Sequence, residues 1–220
     1  GGASSPKQMK PISRELAAKL NKATAFGDCT AVDTCSLPTS SPFAFVGWVA
    51  FLDWATRHLA LYYIRSHTGI EIVNCYSQYC TDNAEYLPRL KSGEKGSKLL
   101  FTDNHGEFYN ETAAAFLREL GTRHSSIIEW NPQQNPAERA HYTCLRCIKI
   151  CHADTGAPLS TWPFTANQCV RVHNALISRS AHVLDQSTSP EQKRSGRKPD
   201  LSDLRRMHCR MDVRITSPYD

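Results

Sequence analysis

The sequence predicts an α/β protein, a mixed five-stranded sheet with helices on both faces. Three observations carry this. Three apolar, β-branched or aromatic stretches follow one another between residues 27 and 66. Beyond them single strand-like runs alternate with helix-like ones, in the order β-β-β-α-β-α-β-α-α. Consecutive strands form an antiparallel meander, whereas strands separated by helices return parallel through crossovers, so the sheet is mixed in direction. Length agrees: 220 residues, 40% hydrophobic and 21% charged, suffice for one large core, and no internal repeat suggests an array.

The opening GGASSPKQMKP is small, polar and proline-containing and reads as a linker. Ser13 to Ala25 has the pattern of a short basic helix, with Ser13 able to cap RELAAKLNKA. Strand signals begin with GDCTAVDTCSL, FAFVGWVAFLD and HLALYYIRS, parted by PTSSP and WATR. Thr68 can cap a helix through GIEIVNCYSQYC, with Ile70, Val73 and Tyr76 or Ser77 on one face. PRLKSGEKGSK is a turn, and LLFT is a short strand that ends at Asp103. ETAAAFLRELG is a helix stopped by Gly121, a residue that tolerates left-handed backbone. RHSSIIEW is the fifth strand and NPQQNP a loop. Pro136 then starts the long helix AERAHYTCLRCIKICHA, since a first turn needs no N–H there. STWPFTANQCVRVHNALIS is a further helix with Trp162 and Pro163 near its start. After Ser180 the chain is rich in Ser, Pro and Arg, and a loosely packed extension is expected. The division is therefore 1–25 as linker or basic helix, 26–180 as core and 181–220 as basic extension.

No apolar run reaches the ~20 residues that cross a bilayer, and the first thirty residues carry no basic-then-apolar leader. A protein neither embedded in a membrane nor secreted is expected. Nine cysteines, an odd number spread through strand-like and helix-like segments, argue against a disulfide scaffold and for a reducing compartment. The net charge of +5 is unevenly placed: residues 1–22 carry +4, residues 187–214 another +4, residues 23–186 carry −2, and Asp220 adds −1. A slightly acidic middle between basic ends suits a protein that gathers cations centrally and meets polyanions at its ends.

Carboxylates matter most where rigid elements aim several at one point. Asp33 lies inside the first strand, AVDTC, where an inward-facing Asp is costly unless something binds it. Asp103 terminates LLFTD, and Glu138 falls in the first turn of the helix after NPQQNP. Three carboxylates from two strands and one helix start suit hard divalent cations, which take oxygen ligands. A second group, His141, Cys144, Cys147, Cys151 and His152, has the look of a metal-ligand string. On a helix its cysteines form one stripe and act as small hydrophobes, so zinc is not expected there.

Several segments, in this order, carry a resemblance. They are AVDTCSLP at 31–38, TDNHGEF at 102–108, NPQQNPAER at 131–139, the spacing Trp162-x3-Ala166-x7-Asn174, and TSPEQKRSGRKPDLSDLRRMHC at 188–209. Together they closely resemble the integrase of copia-type LTR retrotransposons, part of a retrovirus-like Gag-Pol polyprotein, over about Gly27 to Val213. That family shows patterns like S-D-N-G-G-E-F, P-Q-Q-N-G-x-A-E-R, and T-P-x-E with G-K-P-D-L-S-x-L-R-x-F-G-C. The resemblance implies an RNase H-like fold, the integrase catalytic core. It maps Asp33, Asp103 and Glu138 onto catalytic, metal-holding carboxylates for two Mg²⁺ or Mn²⁺ ions, with Asn104 and Glu107 behind them. The implied chemistry is metal-dependent trimming of a DNA 3′ end followed by strand transfer into target DNA. Implied partners are double-stranded DNA, both element ends and target, and further copies of the chain. The place of action is the nucleus, after a cytoplasmic particle.

Arg139, Arg146, Lys149 and Arg171, with Lys193, Arg194, Arg197 and Lys198 in the C-terminal cluster, are candidate phosphate contacts. The chain also departs from the family. Thirty-four residues separate Asp103 from Glu138, one fewer than usual, because Asn135-Pro136 replaces a longer, glycine-containing turn. His105 replaces a glycine, and Met207-His208 replaces Phe-Gly. The family's N-terminal His-His-Cys-Cys zinc module finds no counterpart, since no histidine precedes His58, so the chain reads as a core fragment. Asp53, at a strand end, reads as a turn former. Two rival readings stay open: a decayed or domesticated integrase fold that binds DNA or self-associates, and a nuclease on RNA–DNA hybrid.

Overall fold

The strands Thr30–Ser36 (β1), Gly47–Asp53 (β2) and Leu59–Ile64 (β3) form the expected antiparallel meander in a computed structural model that describes residues 22–102, 110–126, 135–176 and 187–202. Leu99–Thr102 (β4) and Arg123–Ser126 (β5) add in parallel on the other side of β1, giving the order β3-β2-β1-β4-β5. The helices are Gly69–Asp82 (α1), Glu111–Leu120 (α2), Pro136–Thr155 (α3), Trp162–Ala175 (α4) and Pro190–Ser195 (α5). Of the basic helix expected over Ser13 to Ala25, the residues before 22 lie outside the described residues, as do the end of RHSSIIEW and the NPQQ loop, while residues 22–25 are not helical.

Strand side chains alternate between faces, and this alternation divides the core. Val32, Val49, Phe51 and Leu100 pack with Ile72, Tyr76, Tyr79 and Leu117 of α1 and α2. Ala31, Trp48, Ala50, Leu52 and Phe101 pack on the opposite face with Ala137, Ala140 and Cys144 of α3 and Trp162 and Ala166 of α4. The small residues Ala31, Ala50, Ala137 and Ala140 let α3 approach the sheet closely. Helices on both faces leave every residue of β2 buried, as continuous apolar runs require. Gly47 is obligatory at the start of β2, where a Cβ would collide with the Cys35 carbonyl.

The first helix buries Tyr76 as expected but is rotated away from Ile70. Ile70 is 55% exposed, and the buried stripe is Ile72, Cys75, Tyr76, Tyr79 and Cys80. Its two tyrosines stack on Phe51, at 5.9 and 4.8 Å between ring centroids, and large aromatic surface outweighs Ile70 and Val73 in setting the rotation. Thr68 stands at the N-cap, yet its hydroxyl pairs with Ser66 rather than with the helix. Gly121 ends α2 in left-handed backbone, and Pro136 opens α3, both as the sequence predicts. Asp53 is a buried turn former: it accepts from Gly27 N, Thr56 N and Thr56 Oγ1. Burial lifts its pKa to about 6 against those three hydrogen bonds.

The Trp162-x3-Ala166-x7-Asn174 spacing now has a physical reason. Trp162 and Ala166 are core residues of α4, and the Trp162 indole donates to Thr39 O. Asn174 turns its amide to the free edge of β3, accepting from Leu59 N at 2.9 Å and donating to Leu59 O at 2.8 Å. A side chain thus closes an edge to which no further strand among the described residues is added.

The stretch after Ser180 is not loose throughout. Residues 177–186 lie outside the described residues, but α5 is docked on the core. Ser189 caps it through Gln192 N, and Ser189 and Pro190 are buried. Glu191 Oε2 sits 3.2 Å from His58 Nε2, and Arg194 grips both carboxylate oxygens at 2.8 and 2.9 Å. Arg194 also donates to Asn83 Oδ1 and lies over the Tyr86 ring. Burial pushes the Glu191 carboxyl up, but His58 and Arg194 outweigh it and hold its pKa at about 2. Burial lowers the His58 pKa despite its acidic neighbour, so a neutral imidazole N–H, not an imidazolium, faces the carboxylate.

Two outcomes follow. Asn174→Ala strands both Leu59 backbone groups and destabilises the protein by about 2–3 kcal/mol in denaturant unfolding, with the loss centred on β3. Because the folded Glu191 pKa lies below the unfolded value of about 4.3, its stabilisation is complete above that value and vanishes as pH falls toward 2. The protection factors of the Lys193 and Gly196 amides, relative to those of β2, therefore drop across that window. Glu191→Gln produces the same drop at pH 7.

Candidate metal centre and nucleic-acid interface

β1 alternates between the two helical layers, so Asp33 shares the face of Ala31 and points toward α3. It is 8% exposed, and Oδ1 accepts from Thr34 N at 2.9 Å. Its strand is held on both sides: Asp33 lies opposite Ala50 of β2, and Val32, the preceding residue, lies opposite Thr102 of β4. Asp103 follows Thr102 in the chain but lies outside the described residues, as do Asn104 and Glu107.

The start of α3 is tied to the same strand. Asn135 is buried, caps the helix by accepting from Ala137 N at 3.0 Å, and donates through Nδ2 to Val32 O at 3.4 Å. One side chain thereby fixes both the direction of α3 and its height above β1, one residue from Asp33. Glu138 stands half-buried in the first turn, where the helix dipole favours an anion. The shortened loop has not moved it off the helix, because Pro136 occupies the first helical position.

One turn beyond Glu138, His141 packs beside Asp33. The imidazole is 5% exposed, lies 5.9 Å from the Trp48 ring, and places Nε2 3.8 Å from Asp33 Oδ2. That separation is too long for a hydrogen bond, and Nε2 has no hydrogen-bond partner. Burial lowers the His141 pKa to about 4, against the opposing pull of the Asp33 backbone, so the ring is neutral at pH 7. An anionic oxygen and an imidazole nitrogen, both shielded from water, are donors that fit a divalent cation.

The members of the His141-to-His152 string, which resembles a ligand set only in spacing, have different surroundings in the fold. His141 faces Asp33, Cys144 is core, and His152 bonds Ala157 O and Thr165 Oγ1 near the end of α3. The eight described cysteines are free thiols. Among the described residues no three His, Cys, Asp or Glu side chains are gathered to hold a metal. His141 was thus grouped with the wrong neighbours, and Asn135 was passed over as loop. The signals that find them are the i, i+3 spacing from Glu138 and an Asn-Pro pair at a helix start.

The basic candidates separate into groups. Arg139, Arg146 and Lys149 are exposed along one stripe of α3, interleaved with Tyr142, 66% exposed, and Ile150. Arg171, Arg197 and Lys198 line a cavity of about 370 Å³ with Tyr86 and Asn174. Lys193 is half-buried on α5. Arg194 departs from the expected phosphate contact, because Glu191, Asn83 and Tyr86 already engage its guanidinium. A larger cavity, about 570 Å³, opens between α2 and β5; no carboxylate lines it, and it does not include Asp33, Glu138 or His141. No helix among the described residues is long and apolar enough to cross a membrane.

No family model matches the chain. Over 164 residues, 74% of this chain, it is 26% identical to the retrovirus-related Pol polyprotein from transposon TNT 1-94 of Nicotiana tabacum, and spans 11% of that polyprotein's length. Among solved structures, the HTLV-2 integrase catalytic core domain in complex with magnesium superposes with a TM-score of 0.57 in its trimeric form. The match covers 79% of this chain and 99% of that one at 12% identity. Its dimeric form gives 0.56, with 80% and 100% covered at 11% identity. The integrase of a simian T-cell lymphotropic virus intasome bound to the PP2A subunit B56 gamma gives 0.60, with 80% and 56% covered at 12% identity. Buried β1, the parallel β4 and the helix that starts over Asp33 thus belong to an RNase H-like α/β fold of the integrase catalytic-core type, in a chain whose sequence resembles a copia-type retrotransposon integrase.

Proposed function

We propose that this chain is the catalytic core of a retroelement integrase, joining element-end DNA to target DNA by metal-dependent polynucleotidyl transfer. The observation that carries the reading is the Asn135–Val32 bond, which sets the helix start bearing Glu138 over the strand bearing Asp33. The β1–β4 register supports it, since Asp33 and Asp103 are the residues that follow the paired Val32 and Thr102. Asp33, Asp103 and Glu138 would hold two Mg²⁺ or Mn²⁺ ions, with Asn104 and Glu107 supporting them. The bound ions supply a more acidic attacking oxygen and stabilise the leaving oxygen of an in-line displacement.

The protein's own part is positioning. β1 and α3 keep Asp33 and Glu138 in place without a loop to reorganise, and burial beneath α3 keeps bulk water from Asp33. No covalent protein nucleophile is needed, because water and then the DNA 3′-hydroxyl are the attacking groups. Arg139, Arg146 and Lys149 neutralise DNA phosphates, and exposed Tyr142 offers a ring beside them. Arg171, Lys193, Arg197 and Lys198 form a second basic surface. Joining two DNA ends calls for more than one active site, hence a homo-oligomer acting in the nucleus after a cytoplasmic particle stage. The short Asp103–Glu138 spacing favours one rival, a decayed or domesticated core that binds DNA without cutting it.

Strand transfer with duplex element-end DNA and Mn²⁺ separates the two. Wild type yields joined product, and Asp33→Asn, Asp103→Asn and Glu138→Gln each lower the rate roughly a thousand-fold, the loss of several kcal/mol of transition-state stabilisation. Equal rates in all four proteins favour the DNA-binding module. In DNA-binding titrations, Arg146→Ala with Lys149→Ala lowers affinity on every duplex alike and reduces the salt slope by about 2.

A further inference from the structure

We propose that His141 is a metal ligand, its Nε2 completing with Asp33 Oδ2 a mixed nitrogen–oxygen site for one divalent cation. The proposal rests on the function read above and deepens it, since it assigns a donor that carboxylates alone do not supply. Three features of the molecule lead to it. A buried imidazole nitrogen normally finds a partner, and this one has none. The carboxylate beside it, Asp33 Oδ2, is 3.8 Å away, beyond hydrogen-bonding distance. Two donors each about 2.1 Å from one ion stand roughly 3–3.5 Å apart at octahedral or tetrahedral angles, so a shift of roughly 0.3–0.8 Å closes the gap around a cation.

The ring is also built to wait for an ion. Packing against Trp48 restrains its rotamer, and its place one turn after Glu138 puts it on the same helix face as that carboxylate. An imidazole in the donor set shifts preference from Mg²⁺, which favours oxygen, toward Mn²⁺ and softer ions.

Mn²⁺ titration of the whole chain, read by electron paramagnetic resonance and electron spin-echo modulation, tests this without any DNA. The proteins are wild type, His141→Asn, His141→Gln and Asp33→Asn, each checked for folding by circular dichroism in metal-free buffer. The expected result is nitrogen modulation from bound Mn²⁺ in wild type, absent in both His141 variants, which bind Mn²⁺ about tenfold more weakly or worse. Mg²⁺ affinity, read by competition, falls less. Mn²⁺ that binds through Asp33 without nitrogen modulation, or modulation that survives both His141 substitutions, overturns the proposal and leaves the carboxylate site standing. Mn²⁺ affinity indifferent to Asp33→Asn overturns the proposal and the integrase reading together.

Discussion

Burying an ionisable carboxylate in the middle of a sheet is costly unless hydrogen bonds or a cation compensate it, and β1 does this at Asp33 between Val32 and Thr34. Much of the surrounding structure answers that constraint. β2 and β4 hold the strand from both sides, so the carboxylate does not move out by local fraying. Alanines at 31, 50, 137 and 140 bring α3 down onto the sheet, and Asn135 locks the helix start to Val32. The layer that shields Asp33 also carries Glu138 and His141 on successive turns. The helix that excludes water from the strand is thus the same one that carries Glu138 and sets His141 beside Asp33.

A second theme is that edge closure and tail docking use polar side chains rather than further strands or helices. Asn174 pairs with the open edge of β3, and His58, beside Leu59 on the same edge, meets Glu191 of α5. Arg194 completes the contact by clamping Glu191, Asn83 and Tyr86. A basic tail that is uniformly available to polyanions in sequence is thus divided in three dimensions. One arginine holds the tail in place, while Arg197 and Lys198 line a cavity with Arg171, Glu191 and Asp200. The anchor explains how exposed cations can keep a set position just past a short, six-residue helix.

Much of this was readable from residue order. The strands containing Asp33 and ending at Thr102, the helix stop at Gly121 and the helix start at Pro136 are local signals, and each appears where its chemistry places it. What was misread depends on partners far away in the chain. The rotation of α1 is set by Tyr76 and Tyr79 finding Phe51 on β2, so the periodicity that put Ile70 inside was correct in spacing and wrong in phase. Cys144 and His141 do share the sheet-facing side of α3, but their surroundings differ: Cys144 packs among apolar core residues, while His141 sits beside Asp33 of β1. The extension after Ser180 reads as loose because nothing local shows that Glu191 has His58 to bind.

By itself, then, the sequence determined the order and kind of the elements, the placement of Asp33 in a strand and Glu138 in a first turn, and the ordered motifs that resemble an integrase core. These depend on propensity, capping and alternation, which act within a few residues. The tertiary structure decided which side chains meet. It set His141 against Asp33, Asn135 on Val32, Asn174 on Leu59 and Arg194 on Glu191, Asn83 and Tyr86. All but the Arg194–Glu191 pair join residues about a hundred apart in the chain. Local rules cannot supply such pairings, because they exist only once two packed layers have enclosed the sheet.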